Sequence, residues 1–113
     1  MAYDEDLANR IREVIASEPD VTEMKMFGGL AFLIGGNMSV AASGQGGLLV
    51  RVDPAENDAL LAEPGAEPME MGGRGAMKGW LRVSTDVVED DETLGTWVTR
   101  GVIYARSLPP KKS

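Results

Sequence analysis

Apolar residues recur along this chain with two periods, and the points where the period changes mark its elements. Over residues 4–17, Leu7, Ile11, Val14 and Ile15 fall on one stripe of a helix, with acids and arginines on the remaining surface. Pro19 and Asp20 close that helix, and Met24 and Met26 then alternate through 21–26, as in a strand with one buried side. Residues 25–38 hold two further apolar, strand-like runs punctuated by glycine pairs. Gly28-Gly29 reads as a bend before a strand, and Gly35-Gly36-Asn37 as the hairpin turn after it.

Alternation also sorts the faces of the resulting sheet. Leu30, Phe32 and Ile34 share a predicted core face with Met38, Val40 and Ala42 of the next strand, and, after a turn over 43–47, with Leu48, Val50 and Val52. The opposite face takes Ala31, Leu33, Ser39, Ala41, Leu49 and Arg51. It is unusually apolar for a surface left in water, so a cover is expected, a second subunit being one candidate.

Downstream, Asp53 as N-cap, Pro54 at the first helical position and Glu56 in the capping-box place predict a short helix, stopped by Pro64-Gly65. Residues 68–71 read as a strand, 72–79 as a mobile Gly-rich loop, and 80–84 as a strand with Leu81 and Val83 inward and Trp80 and Arg82 outward. Asp90, Asp91 and Glu92 suit a helix start, and Leu94, Trp97, Val98, Gly101, Val102 and Ala105 then form a continuous stripe. Gly101 is expected to permit close packing on the sheet, and Trp97 to be core. Pro109-Pro110 ends the fold before a basic tail, so 1–108 is one domain and 109–113 a tail.

Composition narrows the chemistry. The 113 residues fit a single domain with a modest core. There is no cysteine and no histidine, which removes disulfides, thiolate nucleophiles, the commonest general base and the commonest metal ligand. Ser43 and Ser84 lack a histidine to activate them. Asp90, Asp91 and Glu92 are better explained by the helix start than by a divalent cation, so no metal and no cofactor are expected. No apolar run approaches a membrane span and the N-terminus is acidic, which predicts a soluble, cytoplasmic protein. The net charge of −7 disfavours direct nucleic-acid binding, although residues 72–82 carry Arg74, Lys78 and Arg82 without an acid. That stretch lacks the pattern of a phosphate-binding loop.

The order of elements, together with Met26-Phe27-Gly28-Gly29, Phe32, the Gly35-Gly36-Asn37-Met38 turn, the 48–52 run and the Trp97 helix, resembles the TfoX/Sxy N-terminal domain family over nearly the whole chain. The resemblance implies a two-layer domain with helices covering an antiparallel sheet, and a regulatory role, since better-known members promote competence gene expression with the cyclic-AMP receptor protein. Those members continue into a C-terminal domain; this sequence ends at Ser113, so a stand-alone N-terminal domain is expected.

Pattern and resemblance together predict an α+β two-layer sandwich, a mainly antiparallel meander with helices on one face, in the order α-β-β-β-β-α-β-β-α. Met26, Phe27, Gly28 and Gly29 are either a recognition loop or a bend, and glycines before a strand more often mark a bend. The expected interaction residues are Leu33, Leu49, Arg51, Arg74, Lys78, Trp80 and Arg82, in which an aromatic flanked by guanidinium groups suits a protein partner. The expected function is a non-enzymatic regulatory module acting through protein partners or self-association as a homodimer. The alternative is a nucleic-acid-associated transcription co-regulator using the same Trp/Arg sheet face.

Overall fold

A computed structural model describes residues 4–26, 28–44, 46–70 and 76–109. The first helix, α1, covers Glu5–Val14, with the Asp4 carboxylate accepting hydrogen bonds from the amides of Asp6 and Leu7 at its start. Strands β1 Val21–Met26, β2 Gly29–Ile34, β3 Asn37–Ala42 and β4 Leu48–Arg51 follow as an antiparallel meander. A 3-10 turn at Pro54–Glu56 leads into the short α2, Asn57–Leu61, with the Asp53 carboxylate capping the Ala55 amide. Strands β5 Ala66–Glu70 and β6 Ala76–Val83, a single-turn α3 at Thr85–Val88 and a long α4, Asp91–Ser107, complete the chain. The six strands form one sheet in the order β1-β2-β3-β4-β6-β5, with every neighbouring pair antiparallel.

The hairpin between β2 and β3 turns in two residues, Gly35 and Gly36, both at positive φ. That is the geometry whose twist matches the strands it joins, and it fixes their register. The core lies on one face of the sheet. Leu7, Ala8 and Ile11 of α1 and the buried stripe of α4 share one core cluster with Phe32, Ile34, Val40, Val50, Leu81 and Val83 of the sheet. Trp97 and Phe32 are fully buried, each contributing roughly 1.5–3 kcal/mol of apolar burial.

Gly101 lets α4 sit close on the sheet, because a Cβ there would stand 2.5 Å from the Ser39 carbonyl oxygen. Ion pairs fasten the periphery, among them Arg10 to Asp91, Arg12 to Glu23, Arg100 to Glu63 and Arg106 to Glu18.

The structure departs from the sequence expectations at several elements. A bulge in β3 sets Phe32 opposite Val40 but Leu33 opposite Met38, leaving Ser39 unmatched. Met38, expected on the core face, therefore joins Leu33 on the opposite one, and Ser39, expected outward, is completely buried with its hydroxyl donating to the Phe32 carbonyl at 2.8 Å. Met24, expected to be buried, is 49% exposed because β1 is an edge strand flanked only by β2.

The expected strand over 68–71 begins two residues earlier, at Ala66, and β6 begins at Ala76 rather than Trp80. Residues 76–79 of the expected loop are thus paired strand, while 71–75 lie outside the described residues. The acidic stretch before α4 contains α3, a turn that was not expected. Among the described residues no helix is long and apolar enough to cross a membrane.

Candidate interaction surface

Of the expected contact residues, Leu33 and Leu49 lie on the sheet face away from the helices. Ala31, Ala41 and Leu49 pack together there, with Leu33 and Met38 over them. Leu49 is only 8% exposed, and both alanines are buried within the single chain. This corrects the expectation of an open apolar face. Leu33 and Met38, themselves partly buried, pack against both alanines and Leu49.

Arg51 and Trp80 are brought together as expected, since Arg51 ends β4 directly opposite Trp80 in β6. The Arg51 guanidinium stands 5.8 Å from the centre of the Trp80 ring and 5.5 Å from that of Tyr104. Both separations fall within cation–π range. Tyr104 belongs to α4, so the stack joins one end of the sheet to the helix layer rather than lying flat on the outward face. Arg51, Trp80 and Tyr104 are all half-buried. Gly79, next to Trp80 in β6, takes φ +90. The Gly79 amide donates to Asn57 Oδ1 of α2, and its carbonyl accepts from the Val52 amide.

Arg82 is not part of this stack. It lies opposite Leu49, and its guanidinium donates to the Gly46 carbonyl at 2.9 Å. Phe27 and Arg74 lie outside the described residues, as do the side chains of Met26 and Lys78. Gly28 takes φ +75 with open space around it, and a Cβ on Gly29 would strike the Ala42 carbonyl oxygen. Both glycines thus have structural work in the bend.

Tyr104 also lines a groove of about 250 Å³ between α4 and the 3-10 turn. Asp53 and Glu56 stand on one wall, Arg100 and Ile103 on the other. The Arg100 guanidinium is already occupied, donating to both Glu63 carboxylate oxygens at 3.0 and 2.9 Å and lying 4.6 Å from the Trp97 ring centre. Sequence reasoning passed over Tyr104 and this groove. The signal was present: Tyr104 follows Arg100 by four residues, at the flank of the α4 stripe.

Among the described residues, the Glu23 and Asp90 carboxylates have lowered pKa values. Glu23 is held down by the side-chain hydrogen bonds from Arg12, against some desolvation. Asp90 is held down by the Thr93 amide and then by the Thr93 hydroxyl, as an N-cap of α4. Neither lies in the groove, and among the described residues no cluster of acids is arranged to hold a metal. The arrangement offers surface for contact: a guanidinium between two aromatic rings, beside a groove with an acidic wall.

A family model described as the TfoX N-terminal domain matches residues 13–105 of the chain. No curated protein and no solved structure gives a significant match.

Proposed function

The chain belongs to the TfoX N-terminal domain family, and from that premise we propose that it is a non-enzymatic, cytoplasmic regulatory module that works by binding a protein partner. The observation that carries this reading is the half-buried Arg51 held between Trp80 and Tyr104. Tryptophan, tyrosine and arginine are the residues that most often dominate binding energy at protein interfaces, because they bring large rigid area together with a polar handle. Here the three are pre-ordered, so little side-chain entropy is lost on contact.

The flanking acids Asp53 and Glu56, with the net charge of −7, favour a protein surface over a phosphate backbone. Catalysis draws no support from a chain without histidine or cysteine.

The test is affinity purification from the native host with wild-type protein, Arg51→Ala and Trp80→Ala, each variant first checked for an unchanged melting curve. One protein should be retained by the wild type and lost by both variants. Equal retention by all three would remove the stack from the interface. Salt-dependent DNA binding that is lost in Trp80→Ala and Arg82→Ala would replace this reading with the nucleic-acid one.

A further inference from the structure

The two edges of the sheet differ. Edge strand β5 contains Pro68, which has no N–H to offer a further strand, and so is protected against pairing. Edge strand β1 has no proline over six residues, and Thr22, Glu23, Met24 and Lys25 are all exposed. Its outer row of N–H and C=O groups is a template for another strand.

We propose that this template is used by a second copy of the chain, whose β1 pairs antiparallel with the first about a two-fold axis at Met24. The charge pattern of the strand selects both the partner and the register. With Met24 opposite the partner's Met24, Glu23 falls opposite the partner's Lys25 and Lys25 opposite the partner's Glu23, so the symmetry makes the pair twice.

Among registers that keep both helix layers on one side of the joined sheet, a slip one way sets Glu23 against the partner's Glu23. A slip the other way sets Lys25 against the partner's Lys25. Like charges directly opposite are destabilising, so both neighbouring registers are disfavoured.

The Glu23 side chain is held in place within its own chain. Arg12 of α1 donates to its two carboxylate oxygens at 2.7 and 2.8 Å, whereas Lys25 has no ion pair among the described residues. On the other face Met24 lies opposite Ala31, so a Met24 pair would extend the cluster of Ala31, Ala41, Leu49, Leu33 and Met38 into the second copy. One strand pair with its flanking side chains sits at the low end of specific interface sizes, below about 1,200 Å² in total, so the association is concentration-dependent. This surface is separate from the Arg51 stack, and either assignment can fail without the other.

The absence of cysteine makes the register directly testable. Residues directly opposite in antiparallel strands have Cα atoms about 4.5 or 5.5 Å apart, and both separations lie within the roughly 4.4–6.8 Å span of a disulfide. Under mild oxidation the full chain carrying Met24→Cys should cross-link to itself rapidly. Ile103→Cys, on α4 and 64% exposed, serves as the control for random collision and should not.

By sedimentation equilibrium, Lys25→Glu should weaken self-association about tenfold or more, and the double exchange Glu23→Lys with Lys25→Glu should restore it. A wild-type protein monomeric throughout the concentration range would overturn the proposal. So would Met24→Cys cross-linking no faster than the control, or an exchange variant with wild-type melting that fails to regain association.

Discussion

Two glycines on α4 have opposite environments, and substitution separates them. A Cβ at Gly101 would meet the Ser39 carbonyl oxygen at 2.5 Å and Val40 Cγ1 at 2.8 Å, whereas nothing lies within 4 Å of one at Gly95. Gly101→Ala should lever the helix off β3 and destabilise by about 1–3 kcal/mol. Gly95→Ala should stabilise by up to about 1 kcal/mol, since it only improves helix propensity. Urea midpoints of the two variants check the pair, and a shift in the same direction for both would contradict the packing described.

Asp90 gives a pH-dependent counterpart. Its folded pKa is lowered by hydrogen bonds from Thr93, so its stabilising effect is fully present above the ordinary aspartate value of about 3.9 and is lost as pH falls through the lower, folded value. Asp90→Asn keeps a capping oxygen without the charge. The stability difference between wild type and this variant should therefore be constant from pH 7 to about pH 5 and shrink below about pH 4, as read from thermal melts across that range.

At the scale of elements, the strands are legible in the sequence because alternation and glycine punctuation report burial and turn geometry directly. The β2–β3 hairpin is the clearest case: glycines between two apolar alternating runs place the turn at Gly35-Gly36, although Asn37, read as part of the turn, is the first residue of β3. The bulge at Ser39 is not legible in that way. It arises from tertiary packing, where Gly101 brings α4 against the Ser39 backbone and the Ser39 hydroxyl finds the Phe32 carbonyl, and one unmatched residue then sends Met38 to the other face.

The start of β6 escapes sequence reading for a related reason. Gly79 reads as a loop residue, yet its amide and carbonyl are held by Asn57 and Val52, partners distant in the chain. Asn57→Ala should leave that buried amide without an acceptor and cost about 1–3 kcal/mol. Hydrogen exchange at the Gly79 amide should quicken more than at Leu81, whereas uniform quickening along β6 would mean that Asn57 acts only on global stability.

At the scale of the whole molecule, both the fold and the candidate surface follow from how the sheet is covered. The helix-covered face unites β2, β3, β4 and β6 with α1 and α4, and its apolar residues are legible from the sequence apart from Met38, because burial there follows strand period. The Arg51 stack is half legible, since Trp80 and Arg51 share the sheet's alternation while Tyr104 arrives from a helix by tertiary packing alone.

This layering predicts a hierarchy of opening. Local stability follows buried apolar contact, so amides of β3, β4 and the middle of α4, around Val40, Val50 and Val98, should exchange only by global unfolding. The β1 edge, with Thr22 through Lys25 exposed, should open far more readily in dilute protein. Trp97, 2% exposed, should report the global step alone once Trp80 is replaced by Phe, and its fluorescence transition should coincide with the loss of helical circular dichroism. Pairing through β1 adds a condition that a monomer cannot meet: raising the protein concentration should slow exchange in β1 while leaving the amides of β3 unchanged. Concentration-independent exchange in β1 would place any self-association on another surface, because a strand that gains a partner must gain protection at the amides that face it.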